Sequence, residues 1–330
     1  KNQAETQAVS LASIAISNKL DVKTFEKQYR DHLSSFHEWD QKDHAESWML
    51  FPHNLGSSLA IDETELTNGE LYTIVTNKAA HGKKGALVAM VEGTKADVVA
   101  AVLCRIEAMK RRMVIEVTLD LSPAMEAIVR TSFPAARITS DRFHVQQLVS
   151  EALQEIRVAL RREALKAESV AIIKARNEKT VFVPRVHANG DSDKQLLARS
   201  RYVLFKPESR WHESQKERAL ILFEKFPNLK HAYNLSMQFR SVYENCTDKV
   251  TAKEKLDTWY RNIEMSAIEA FETPMMSVKA HEDTILNYFV DRSTNAAAES
   301  FNAKLKGFRA VVRGVRDKRF FLFRVAMLYG

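Results

Sequence analysis

VIEVTLDLSPAMEAIVRTSFPAARITSDRFHV, residues 114–145, decides the fold, because it reads as strand, helix and strand with an aspartate closing each strand. Val114 to Leu119 is β-branched and apolar, as a buried strand requires, and Asp120 follows it directly. Ser122-Pro123 opens a helix, since the fixed φ of proline suits a first helical turn. Met125, Ile128 and Val129 give that helix one apolar face, Phe133-Pro134 stops it, and Ala136–Thr139 makes a second strand running into Asp141-Arg142-Phe143-His144. In an open α/β sheet, ligands bind beyond the carboxyl ends of parallel strands, which is where both aspartates stand.

Working outward, three earlier strands are expected: Leu55 to Glu63, Glu70 to Thr76, and Gly85 to Val91, the last two joined by the turn-forming His81-Gly82-Lys83-Lys84. Thr94 to Arg112 reads as one amphipathic helix with Val98, Val99, Val102, Leu103, Ile106 and Met109 inward and a basic end, Lys110-Arg111-Arg112. As a crossover, it lets the Val114 strand lie parallel to the Ile61 strand. Asp62 and Asp120, 58 positions apart, then stand side by side at one sheet edge, while Glu63 faces the other side of its strand. Two carboxylates with no Lys or Arg nearby in sequence repel each other, and a divalent cation relieves that repulsion.

Beyond Gln146 the strand pattern disappears, and the chain reads as helical to about Tyr288, with Trp211 expected in packing rather than stacked on a DNA base. Asp291-Arg292-Ser293-Thr294-Asn295 offers caps to the helix AAAESFNAKLKGF. Glu299, Asn302 and Lys306 share a face of that helix, and Asn295 precedes Glu299 by four. At the other end of the chain, a helix over residues 5–17 and a second from Val22 to about Ser35 are compatible with a helix-turn-helix carrying Lys23, Lys27 and Arg30.

This ordered run of motifs (strand-Asp-x-Ser-Pro, helix, Phe-Pro-x-Ala, strand, Asp-Arg-Phe-His) resembles the catalytic domain of the ISL3 family of bacterial insertion-sequence transposases. The resemblance extends from about Asp62 to the C-terminus and more faintly into the N-terminal helices. Asn295, Glu299, Asn302 and Lys304 or Lys306 are similar to the family's Asn-x-x-x-Glu-x-x-Asn-x-x-(Ile)-Lys signature, and the helical block to its helical insertion. The resemblance implies a ribonuclease-H-like mixed α/β sheet, a three-strand meander plus two parallel strands, interrupted by an all-helical insertion. It also implies an Asp62, Asp120, Glu299 site acting on DNA. Such an oxygen-rich site suits two Mg²⁺ ions, with Mn²⁺ able to substitute. Asp141 and His144 are expected beside the ligands, with ligation by Asp141 the alternative. Met125 stands where the family has Tyr after Ser-Pro-Ala, Ala135 where Asn follows Phe-Pro, and the cysteine-bearing N-terminal zinc region of longer members is absent from this sequence.

Composition sets the remaining bounds. The 330 residues carry a net charge of +7, and the last thirty alone hold Lys304, Lys306, Arg309, Arg313, Arg316, Lys318, Arg319 and Arg324 against Asp317. A polyanion partner is expected there, namely the element's terminal repeats and target DNA. Cys104 and Cys246 lack any metal-ligand or disulfide spacing, and no apolar run approaches a membrane span or signal peptide. The chain begins at Lys1, which leads us to expect a fragment. The expected organisation is a helix-turn-helix-like region over 1–54, a catalytic core over 55–145, an insertion over 146–288, and a closing core segment over 289–330 with Glu299 and a basic tail. Function is expected to be transposition in the bacterial cytoplasm, at the nucleoid, by a homodimer or higher oligomer. A nuclease of the same fold that cuts without joining, or a catalytically silent DNA-binding protein, is the alternative.

Overall fold

A six-stranded sheet in the order β1-β4-β3-β2-β5-β6 positions the acids. The computed structural model describes residues 1–67, 69–312, 314 and 317–330. The strands are β1 (Trp48–Leu50), β2 (Ser58–Glu65), β3 (Leu71–Asn77), β4 (Leu87–Glu92), β5 (Glu116–Leu119) and β6 (Arg137–Ser140). β2, β3 and β4 form the antiparallel meander, and β5 joins β2, then β6 joins β5, in parallel. The result is a ribonuclease-H-like mixed sheet with one addition. β1 lies antiparallel on the outer edge of β4, pairing Trp48, Met49 and Leu50 with Val91, Met90 and Ala89. Three residues are too few to leave a period-two signal, so this strand escaped the sequence reading.

The two faces of the sheet are covered differently. On one, Leu59, Ile61, Val75, Val117, Leu119 and Ile138 pack against the helices Ala96–Leu103 and Pro123–Ser132. Ser122 caps the second of these, accepting from the Met125 N–H, with Pro123 behind it. The single helix expected from Thr94 to Arg112 is instead two, Ala96–Leu103 and Ala108–Arg112. The break turns Ile106 into the core at 1% exposure and leaves Met109 65% exposed, so burying Ile106 outweighs continuing the helix. Arg111 steadies the second piece by donating to the carbonyls of Ile106 and Ser132.

On the other face, Tyr72, Ile74, Leu87 and Met90 pack against Phe301, Leu305 and Phe308 of the helix Ala296–Val311 and against Phe321, Leu322 and Val325 of the helix Lys318–Tyr329. Of the basic residues expected in the tail, Arg309 and Arg324 are buried with this face, while Lys304, Lys306 and Arg319 are exposed. Phe320 and Phe323 of that last helix also receive the N-terminal helices, through Leu11, Ile14, Phe25, Tyr29 and Phe36. The helix expected over residues 5–17 is instead two, Asn2–Thr6 and Leu11–Ser17, and the one that follows is shorter than expected, Val22–Gln28, running into a π-turn at Tyr29–Leu33.

The chain forms two compact units, Lys1–Asp141 with Asp291–Gly330, and Arg142–Val290. The second is helical, begins with the 36-residue helix Arg142–Asn177, and has its own core. Trp259 donates its indole N–H to the Leu235 carbonyl, and Asp191, fully buried, is held by Arg199 and Arg218. Trp211 is 8% exposed and donates to the Val203 carbonyl, a packed position rather than a stacking platform. Among the described residues no helix is long and apolar enough to cross a membrane.

Phe323 is 1% exposed and in edge contact with Phe36 and Trp39. Phe323→Ala is expected to cost about 3–5 kcal/mol. Amide exchange over residues 11–28 should then accelerate while that of the helical unit stays as in the wild type.

Candidate metal centre

Register brings the acids together. In the parallel pair β2/β5, Ala60 lies opposite Thr118, so two residues further along each strand Asp62 meets Asp120. In β5/β6, Leu119 lies opposite Ser140, so the next residues, Asp120 and Asp141, are also neighbours. Three aspartates thus line up across three adjacent parallel strands, Asp120 and Asp141 just past the ends of β5 and β6 and Asp62 within β2, which runs on to Glu65. Alternation along β5 puts Glu116, Thr118 and Asp120 on one side of the sheet, opposite the face that packs on the crossover helices.

Among the described residues, the carboxylate and imidazole ligand atoms that lie within 4.8 Å of one another belong to Asp120, Asp141 and His144. His144 stands three residues after Asp141, in the first turn of the helix that continues β6. The ligand set expected from sequence was Asp62, Asp120 and Glu299. The structure sets Asp62 beside Asp120 on the neighbouring strand and also groups Asp120 with Asp141 and His144.

The helix Ala296–Val311 lies across these strand ends. Asn302, 6% exposed, donates its amide to Asp62 Oδ2 at 2.6 Å, and the backbone N–H of Asn295 donates to Asp141 Oδ1 at 3.1 Å. Glu299 follows Asn295 by four and precedes Asn302 by three, so it leaves the helix between the two anchors, and its side chain is exposed. Asp62 also accepts from the Glu63 N–H at 2.8 Å. Burial, then the charge of Asp62, push the Glu63 carboxyl above its usual range.

Buried polar atoms with no partner among the described residues collect here. Asp141 Oδ2, both side-chain atoms of the fully buried Asn295, and Asn302 Oδ1 all lack one. A buried carboxylate oxygen left in this way is costly, and carboxylates with an imidazole nitrogen are a fitting donor set for a divalent cation. The residues present therefore fit a metal.

The basic residues expected to contact DNA separate into two groups. Arg309 is 8% exposed, with its guanidinium on Glu70 and Thr67, and Arg324 is 3% exposed and donates to the carbonyls of Gln7 and Val9. Lys304 donates to the Gly82 carbonyl, Lys318 pairs with Glu92, and Arg319 with Glu46. These contacts hold the last two helices to the sheet and the N-terminal region. Lys306 is exposed, and Lys23, Lys27 and Arg30 line a cavity of about 670 Å³ against Phe308 and Phe320. Arg313 and Arg316 lie outside the described residues.

Sequence reasoning missed one polar contributor and the partner of another. Asn302, expected beside the ligands as part of the signature, has Asp62 as a partner that the sequence does not reveal. Lys78 was not singled out, although it stands just after β3 and reaches Thr118 beneath Asp120 at 2.7 Å. No local pattern marks either contact, because each joins residues far apart in the chain.

A family model described as Transposase, of the ISL3 DDE type, matches residues 59–325. No curated protein matches the chain.

In a Mn²⁺ titration read by calorimetry, Asn302→Ala should weaken binding by about 10-fold, the usual cost of losing a group that orients a ligand, and Asp120→Asn by more. Wild-type affinity in Asp120→Asn would contradict the site.

Proposed function

Because the chain belongs to the ISL3 transposase family, we propose that Asp62, Asp120 and Glu299, with Asp141 and His144 beside them, hold divalent cations for cutting the ends of a mobile element and joining them to target DNA. Two Mg²⁺ ions, replaceable by Mn²⁺, are the proposed complement. Bound there, they supply Lewis-acid stabilisation to an in-line phosphoryl displacement by water or a 3′-hydroxyl. The protein's part is to hold carboxylates that repel one another at a fixed spacing. The parallel register does this for Asp62, Asp120 and Asp141, and the two asparagine anchors do it for the helix carrying Glu299.

The observation that carries this reading is the grouping of Asp120, Asp141 and His144 at the carboxyl ends of strands inside the family-matched segment. His144 extends the ligand set proposed from sequence by one nitrogen donor. Asp141, first placed beside the ligands, is proposed as a ligand itself, on the strength of its burial and its partnerless Oδ2. For DNA we propose Lys306, Lys23, Lys27 and Arg30, with Arg313 and Arg316. Transposition holds two ends at once, so a homodimer or higher assembly on DNA is part of the proposal.

The test is cleavage and joining of labelled element ends with Mg²⁺ or Mn²⁺. Asp62→Ala, Asp120→Ala and Glu299→Gln should each lower cleavage by about 10²–10³-fold, the cost of removing a group that stabilises transition-state charge. Cleavage without joining points to a nuclease, and binding without cleavage to a silent DNA-binding protein; either outcome contradicts the proposal.

A further inference from the structure

The segment Asp291–Asn295, which leads into the Glu299 helix, is laced to the polar face of β5 and β6 at three points. Asp291 pairs with Arg137 at the start of β6. Ser293 accepts from Lys78 Nζ and lies 3.4 Å from Thr118 Oγ1 in the middle of β5. The Asn295 N–H reaches Asp141 at the end of β6. Between the first two points Arg292 adopts φ 56°, a left-handed conformation that a non-glycine residue holds only when its surroundings enforce it.

Lys78 is the middle fastening, and the one whose chemistry asks for a reason. Its side chain is 15% exposed, and the ammonium contacts Thr118 Oγ1, Ser293 Oγ and, at 3.9 Å, Oε1 of Glu116, a residue 6% exposed whose Oε2 accepts from the Ser58 hydroxyl. The charged groups around it come from three elements: Glu116 on β5, Asp141 and Arg137 on β6, and Asp291 on the connecting segment. Burying an ammonium is unfavourable, and a buried ion pair is often matched in stability by an apolar residue of the same size. A lysine here is therefore poorly explained as a stabiliser and better explained by what it fastens.

We propose that Lys78 is a positioning residue: by fastening Ser293 to Thr118 on β5, it sets where the Glu299 helix meets Asp62, Asp120 and Asp141. The inference rests on Glu299 acting in the reaction. Asn302 fixes the helix one turn beyond Glu299, whereas the chain before it is held through Asp291, Ser293 and Asn295, and Lys78 supplies the middle of those three fastenings, the one that reaches β5. A displacement of about 1 Å at a reacting group can cost on the order of 100-fold in rate.

The test compares wild type, Lys78→Met, Ser293→Ala, Glu299→Gln and the double variant Lys78→Met/Glu299→Gln. Lys78→Met should lower Mg²⁺-dependent end cleavage by about 10- to 100-fold, keep DNA affinity and the unfolding midpoint at or above wild type, and speed amide exchange over residues 293–299. Ser293→Ala should move rate and exchange the same way by less, and it stands in if Lys78→Met does not fold. If Lys78 acts through Glu299, the double variant cleaves no more slowly than Glu299→Gln alone. Wild-type cleavage and exchange in Lys78→Met, or losses that multiply in the double variant, overturn the proposal. Full activity in Glu299→Gln would instead overturn the catalytic reading of Glu299, while the exchange result still reports whether Lys78 fastens the segment.

Discussion

Parallel pairing of β2, β5 and β6 is the constraint on which the rest depends. A parallel pair cannot be closed by a tight turn, so each join needs a crossover, and the chain spends Ala96–Leu103 with Ala108–Arg112 on the first and Pro123–Ser132 on the second. Those helices bury one face of the sheet and so fix which face is left for polar residues. With register set by Leu59, Ile61, Val117, Leu119 and Ile138 pointing to the helices, Asp62 and Asp120 have only the opposite side to occupy. A slip of one residue in β5 would place Asp120 in the apolar layer.

That arrangement concentrates negative charge, and the molecule answers with fixed polar groups placed from afar. Asn302 reaches Asp62 across 240 positions and the Asn295 N–H reaches Asp141 across 154. The sheet supplies the acids early in the chain, and the closing helices return to support them. The same helices carry Arg309 and Arg324 inward, where Glu70 and backbone carbonyls compensate the guanidinium groups. Their aromatic neighbours add to this, with Arg309 over Phe321 and Arg324 over Tyr29 and Phe308. Part of the charge that looks like a tail for DNA in one dimension, Lys318, Arg319 and Arg324, is in three dimensions taken up in docking the helix Lys318–Tyr329.

Periodicity made the meander, the two parallel strands and the Pro123–Ser132 helix legible, because each presents enough residues for an apolar pattern to repeat. Adjacency of Asp62 and Asp120 followed from topology alone, and the ordered motifs around them identified the family. What stayed hidden depends on contacts distant in sequence. β1 is three residues long, the helix break at Cys104 to Glu107 is imposed by burial of Ile106, and Asp141 gained weight only when the β5/β6 register set it against Asp120. The pairing of Lys304, Lys318 and Arg319 was invisible because a charge count does not say which acid or carbonyl a long side chain will reach.

The central claim is that strand register builds a divalent-cation site from carboxylates aligned across β2, β5 and β6. Anomalous scattering from crystals of the wild-type protein soaked in Mn²⁺ tests it most directly. The account predicts a peak bonded to Asp120 and at least one of Asp62, Asp141 and Glu299, lost in Asp120→Asn crystals. A peak held elsewhere in the molecule, or none at a Mn²⁺ concentration that supports DNA cleavage, would contradict it.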